Sequence, residues 1–163
     1  MNRIVGMLLG WLRPRTETAP PPLDARLDRP ARRQVGALCW RRKGGQVEVL
    51  LVTSRETGRW VIPKGNRMQG MSDPDAAAEE AWEEAGVRGK LRPLRLGSFH
   101  YVKLLARGSS RQIAVDVYAL KVKDVLKDWP ERKERTRRWF RPEEAAGLVD
   151  EPELRTLLSD FAP

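Results

Sequence analysis

From residue 32 onward the chain alternates short β-branched or apolar runs with polar turns. Val35–Trp40 and Val47–Thr53 read as two strands joined by a hairpin turn at Lys43-Gly44-Gly45. Trp60-Val61-Ile62 is a third, brief strand that Pro63 ends. Leu91–Leu96 and Ser98–Leu105 read as two further strands. The turn Arg107-Gly108-Ser109-Ser110 then leads into Ile113–Val122, where Ile113, Val115 and Val117 alternate with smaller or polar residues. Trp139-Phe140 marks one more short strand. Pro142–Val149 and Glu151–Phe161 read as C-terminal helices, the first with Pro in an N1-like position. The pattern predicts an α/β domain over 32–163 with a largely antiparallel or mixed sheet.

Residues 1–31 follow another rule. The apolar run Ile4–Leu12 has the length of a secretory core. Arg13-Pro14-Arg15 follows it, however, and no A-x-A site does. Pro14, Pro20, Pro21, Pro22 and Pro30 then punctuate a charged stretch. This part is expected to be a flexible, basic, Pro-rich tail whose apolar start is free to touch a membrane or a partner. A single cysteine, Cys39, excludes an intramolecular disulfide scaffold and fits a reducing, cytoplasmic setting. Lacking a partnered histidine, it reads as a small core residue. No apolar run reaches the roughly 18–20 residues of a bilayer span.

Charge changes the picture more than composition does. The chain carries 31 Lys and Arg against 22 Asp and Glu, a net charge of +9, which suits a polyanionic partner without saying which. One segment runs against that balance. Residues 72–87 contain six acids and no base, where the chain's average of 31 in 163 would place about three. Asp73 is the expected N-cap, Pro74 suits N1, and Gly86 offers a left-handed C-cap to the helix between them. Glu80 lies three residues before Glu83 and four before Glu84, so three carboxylates share one helix surface. Like charges at those spacings cost roughly 0.2–0.5 kcal/mol each, a term that a divalent cation would reverse. A solvated acidic face answered by bases elsewhere explains the same spacing equally well.

Gly65 followed by Glu80-Ala81-Trp82-Glu83-Glu84-Ala85-Gly86-Val87 resembles the Nudix box, G-x5-E-x7-R-E-U-x-E-E-x-G-U, with the spacing intact. Met71 stands where the first Glu belongs and Glu79 where the Arg belongs. The similarity runs from about Arg32 to Phe161. Arg32-Arg33, Leu50–Arg55, Arg59–Gly65, Asp124–Trp129 and Arg137–Phe140 resemble the diphosphoinositol polyphosphate phosphohydrolase branch, which also cleaves diadenosine polyphosphates. The resemblance implies a Nudix-type α/β/α sandwich with a mixed sheet. It also implies Mg²⁺-dependent hydrolysis of a phosphoanhydride, with Mn²⁺ as an alternative ion.

By position, Glu80 and Glu84 match the family's metal ligands, and Lys64 would add its backbone carbonyl. Glu83 matches the residue usually assigned to activating water, although relatives divide the base and ligand roles among these glutamates differently. The bound ion would polarise a phosphoryl oxygen and orient water for in-line attack. Branch alignment makes Arg32, Arg33, Ser54 and Arg55 the leading phosphate-binding candidates, followed by Arg107, Arg111 and Arg135. Asp116 is expected as a salt-bridged surface residue and His100 as a structural one. The expected partner is a small, highly phosphorylated substrate. Other readings are a nucleoside-diphosphate-linked or RNA-cap hydrolase and a weakly catalytic polyanion-binding module. Trp11, Trp40 and Trp60 do not interleave with Arg densely enough to favour nucleic acid.

Overall fold

The structure, a computed structural model, describes residues 30–163, so the expected tail and the Ile4–Leu12 run lie outside the described residues. The chain forms β1 (Arg32–Lys43), β2 (Gln46–Thr53), β3 (Trp60–Val61), β4 (Lys64–Asn66), α1 (Asp73–Ala85) and β5 (Val87–Leu104). There follow a 3₁₀ turn (Ala106–Gly108), β6 (Ser110–Val125), β7 (Arg137–Phe140), α2 (Pro142–Leu148) and α3 (Pro152–Ser159). One sheet runs in the order β3-β2-β1-β6-β5, with β4 added to β1 and β7 to β2. Only β1 and β6 run parallel; the other pairs are antiparallel, so the sheet is mixed. α1 packs on β1, β4 and β5, while α2 and α3 pack on each other and on β2 and β5 respectively. This is the expected α/β sandwich. Its core is made by Leu38, Leu50, Leu51, Ile62, Phe99, Leu120, Leu154 and Leu158, and Cys39 is fully buried among them.

The β1–β2 hairpin turns through Gly44 and Gly45, both at positive φ (55° and 78°), as a two-residue primed turn requires. Three local expectations are corrected. The two runs expected at Leu91–Leu96 and Ser98–Leu105 form one strand, β5, which ends at Leu104 and stays continuous by slipping register between Leu91 and Arg95 and again before Gly97. Pro93 lacks an N–H, and β5 is an edge strand where that loss is tolerated. The strand β4 was not foreseen. Ser72 rather than Asp73 caps α1, its hydroxyl accepting from the Asp75 amide at 3.2 Å. Asp73 starts the helix and pairs with Arg67 at 2.7 Å.

Gly86 closes α1 in the left-handed region (φ 61°), and a Cβ there would strike the Trp129 ring and the Arg137 guanidinium. The helix has no basic residue in its last turn, so the positive charge comes from β7. Arg137 donates to the Ala85 and Gly86 carbonyls at 2.7 and 3.2 Å while lying over Trp129. Trp129 Nε1 donates to the Glu84 carbonyl (3.2 Å), and the amides of Glu131 and Leu126 donate to the carbonyls of Glu83 and Gly86.

Candidate active site

The buried side of α1 is built from Ala76, Ala77, Glu80, Ala81, Glu84 and Ala85. Two carboxylates therefore stand in positions that amphipathic helices reserve for apolar groups. Alanines around them keep the helix close to β4, and Gly65 makes the room: a Cβ there would fall inside the Glu80 carboxylate. Glu80 and Glu84 are 8% and 7% exposed and, with half-buried Glu83, line a cleft of about 440 Å³. The acidic surface is thus largely buried, which removes the solvated alternative.

Burial is the main cause that pushes Glu80 up to about 7, reinforced by the charges of Glu84 and Glu83. Glu84 is also pushed up to about 7 by burial, against the opposing pull of Arg135 and of the Lys64 amide, which donates to it at 3.2 Å. Glu80 accepts no hydrogen bond among the described residues. The cleft lining carries both acidic and basic side chains, but none of the bases pairs with Glu80 among the described residues. Two adjacent hard oxygen donors beside an exposed cleft suit Mg²⁺ or Mn²⁺, which bind through carboxylates and keep positions for water and phosphate.

Arg135 is the cation that Glu84 does have. Its Nη2 lies 2.6 Å from Glu84, its Nε 2.5 Å from Glu131, and its Nη1 donates to the Thr53 carbonyl at 3.0 Å. It lines the cleft but is only 7% exposed, so it holds carboxylates in place more than it offers itself to a ligand. Ser54 and Arg55 also line the cleft. Ser54 closes a tight loop with Thr57, and Arg55 lies 3.4 and 3.7 Å from Glu131 and Glu134. Lys64 contributes its side chain as well as its backbone: the ammonium sits 4.5 Å above the Tyr101 ring and 3.3 Å from its hydroxyl. Burial pulls Lys64 below its ordinary value. Tyr101 in turn donates to Gln34 at 2.8 Å.

Arg32, Arg33, Arg107 and Arg111 are not among the residues lining this cleft. Alternation along β1 turns Gln34 to the cleft and Arg33 to the opposite face. There Arg33 grips Asp116, with Nη2 2.6 Å from Oδ1. Ser98 and Arg95 complete the knot at 2.6 and 3.0 Å. Asp116 is salt-bridged, as expected, but buried rather than on the surface (2% exposed). Arg107 and Arg111 flank the β5–β6 turn, where Arg107 takes a positive φ of 63°. His100 is exposed and pairs with Glu153 at 3.0 Å. Sequence reasoning missed Arg59, Glu131, Tyr101 and Lys103 as cleft residues. Tyr101 and Lys103 could have been found from their place beside the hairpin arginines; Arg59 and Glu131 carried no local signal.

One helix of this α/β sandwich thus carries three glutamates to a cleft that is also lined by Arg55, Arg59, Lys64, Lys103 and Arg135. The chain belongs to the Nudix family: the NUDIX domain model matches residues 30–161. It is 37% identical over 124 residues to Nudix hydrolase 12, mitochondrial, of Arabidopsis thaliana, covering 71% of this chain and 59% of that protein. It is 34% identical over 120 residues to diphosphoinositol polyphosphate phosphohydrolase 3-beta of Bos taurus, covering 72% and 69%. The chain thus spans about three fifths of the Arabidopsis relative's length. The fold is similar to that of a C. elegans Ap4A hydrolase in a binary complex, with a TM-score of 0.61 at 23% identity over 79% of this chain and 93% of that one.

Proposed function

We propose that the chain is a Mg²⁺-dependent hydrolase that cleaves a phosphoanhydride in a small, highly phosphorylated substrate, such as a diphosphoinositol polyphosphate or a diadenosine polyphosphate. The observation that carries this reading is the Glu80–Glu84 pair, buried one helical turn apart at the wall of an open cleft, with Glu80 lacking any hydrogen-bond partner among the described residues. Glu80, Glu84 and the Lys64 carbonyl would hold the ion, which supplies Lewis-acid polarisation of a phosphoryl oxygen when bound. Glu83, on the same helix and less buried, holds the attacking water and takes its proton. Arg135 and the Lys64 amide each hold one oxygen of Glu84, fixing the carboxylate at the cleft wall where it would hold the ion. Ser54, Arg55 and Lys103 rim the cleft and bind phosphate oxygens. Arg33 is committed to Asp116, while Arg111 stands opposite Lys103 in the β5–β6 register, beside the cleft rim.

The cleft wall also favours one substrate type. Val102 and Leu104 line it and are 58% and 77% exposed, an apolar shelf suited to a nucleobase more than to a phosphorylated inositol. This supports the dinucleoside polyphosphate within the proposed pair. The relatives' names support both. The test is phosphate or nucleotide release from diphosphoinositol phosphates, diadenosine polyphosphates and capped RNA, each with Mg²⁺ and with EDTA. Metal-dependent release from either of the first two is expected. Tight binding without turnover of any of them would replace the hydrolase with a polyanion-binding module.

A further inference from the structure

Glu151 stands at the N-cap position of α3, yet its side chain makes no capping bond. The carboxylate instead reaches across to Arg59, whose Nη1 lies 2.7 Å from Oε1. Glu151 is 5% exposed and Arg59 27%, so this is a nearly buried ion pair. The contact is close but poorly aligned. Arg59 Nη1 and Glu151 Oε2 are both buried with no hydrogen-bond partner among the described residues. Buried polar groups in folded proteins are normally satisfied, and an arginine has five donors to place. The Arg59 side chain makes no hydrogen bond among the described residues. Its backbone, by contrast, is fixed: the Arg59 carbonyl accepts from the Ser54 amide at 2.8 Å, and β3 begins at the next residue.

Arg59 also lines the cleft that holds Glu80, Glu83 and Glu84. Its neighbours in the cleft are held differently, and Lys103 makes no ion pair among the described residues. Arg135 is buried on two carboxylates and a carbonyl, Arg55 faces Glu131 and Glu134, and Lys64 rests on Tyr101. A guanidinium offers paired, coplanar donors that match two oxygens of one phosphate. We propose that Arg59 is a phosphate-binding residue of the cleft, held from behind by Glu151 as its positioning residue, and that it takes a phosphate group of a polyphosphate substrate. This rests on the reading of the cleft as a phosphoanhydride-handling site, and it names a contact that reading does not contain. The buried carboxylate offsets the guanidinium's charge while the cleft is empty. Nη1 stays buried against Glu151, so an arriving phosphate would meet the exposed part of the guanidinium, whose donors have no acceptor among the described residues.

The test uses methylenediphosphonate, whose P–C–P bridge cannot be hydrolysed, titrated calorimetrically into the whole chain with Mg²⁺. Arg59→Ala is expected to weaken binding about tenfold or more, as loss of charge-assisted hydrogen bonds implies. Arg59→Lys should weaken it less, and Glu151→Gln should fall between wild type and Arg59→Ala. In turnover, Arg59→Ala should raise KM with little change in kcat. Arg59→Ala also strands a buried carboxylate, so the double variant Arg59→Met with Glu151→Leu separates the two roles. It should recover the melting temperature while binding stays weak. Recovery of affinity along with stability would overturn the inference. So would unchanged binding in Arg59→Ala, or no binding by the wild type. Arg59-dependent binding in a chain that hydrolyses no phosphoanhydride would sink the hydrolase reading and leave this site standing.

Discussion

Two sets of buried carboxylates in this molecule have opposite surroundings. Asp116 is met by Arg33, Arg95 and Ser98, with Arg67 at 3.5 Å and Asp73 behind it. Burial works to raise its pKa, but the hydrogen bonds from Ser98, Arg33 and Arg95 together hold it below the ordinary value. Glu80 has no hydrogen-bonding partner among the described residues, Glu84 has one arginine, and both are pushed up to about 7. Both regions are charged and largely buried, and only one is satisfied. A chain that surrounds one aspartate with three arginines could have done the same for its glutamates. In the proposed reading the unpartnered Glu80 is where an external cation would bind, whereas the fully partnered Asp116 is a structural knot.

The largest expected effect tests the unsatisfied side. Glu80→Gln removes a poorly tolerated charge and almost no volume. It should cut metal-dependent turnover by roughly two to three powers of ten, the scale of several kcal/mol of lost charge stabilisation. The metal-free melting temperature should stay the same or rise, and Mg²⁺ should no longer raise it. Wild-type turnover, or an undiminished Mg²⁺ shift, would erase the distinction between the two regions.

Asp116→Asn makes the opposite change. It takes the shared acceptor charge from a well-satisfied cluster and should cost about 2–4 kcal/mol in denaturant unfolding, discounted because the arginines are half exposed. The turnover of the folded protein should be near wild type. A large loss of kcat without loss of stability would place Asp116 in the chemistry and break the contrast.

Acidity sharpens it further because the signs differ. The raised folded-state pKa of Glu80 and Glu84 means that their stabilising contribution is complete below the unfolded value of 4.5. It is lost as pH rises towards about 7. Metal-free protein should therefore become less stable over that interval, and saturating Mg²⁺ should flatten the slope. Asp116 has a lowered folded-state pKa, so its contribution is present above the ordinary value of 3.8 and disappears as pH falls below it. Chemical unfolding followed from pH 3 to 8, with and without Mg²⁺, separates the two regions; Asp116→Asn should flatten only the acid limb.

The smallest effect concerns the box departures. Glu79 lies four residues before Glu83 and makes no ion pair among the described residues, while Met71 is 41% exposed. Glu79→Arg turns an i,i+4 repulsion into an attraction and should add about 0.5 kcal/mol of stability. Combining it with Met71→Glu tests whether the two positions couple in kcat/KM. Additivity would show that Arg135, reaching Glu84 from outside the helix, already performs the supporting role of the missing box arginine.

The helix and its glutamates were legible because the evidence is local: six acids without a base, an N-terminal cap region and a closing glycine within sixteen residues. Even there the cap fell one residue early, because Ser72 and Asp73 both suit the position. The Gly65–Glu80 contact was legible only through motif spacing, since β4 is three residues long and leaves no periodic trace. The cations were the poorest part of the reading. Arg33 and Gln34 are adjacent in the chain and face opposite ways, so the strand's alternation, not the local density of arginine, decides which meets the cleft. Arg135 was named through the resemblance, but Glu131, Arg59 and Glu151 depend on long-range pairings or on polar turns without periodicity, and only the closed fold brings them together.

The polar stretch from Leu126 to Arg137 hydrogen-bonds to the carbonyls of Glu83, Glu84, Ala85 and Gly86 and, through Arg135, to the Glu84 side chain. It therefore belongs mechanically to the end of α1. In native-state hydrogen exchange, the amides of Leu126 and Glu131 should open together with the last turn of that helix, as one cooperative unit. A protease cut within residues 127–134 would untether the glutamates, ending turnover well before the sheet unfolds.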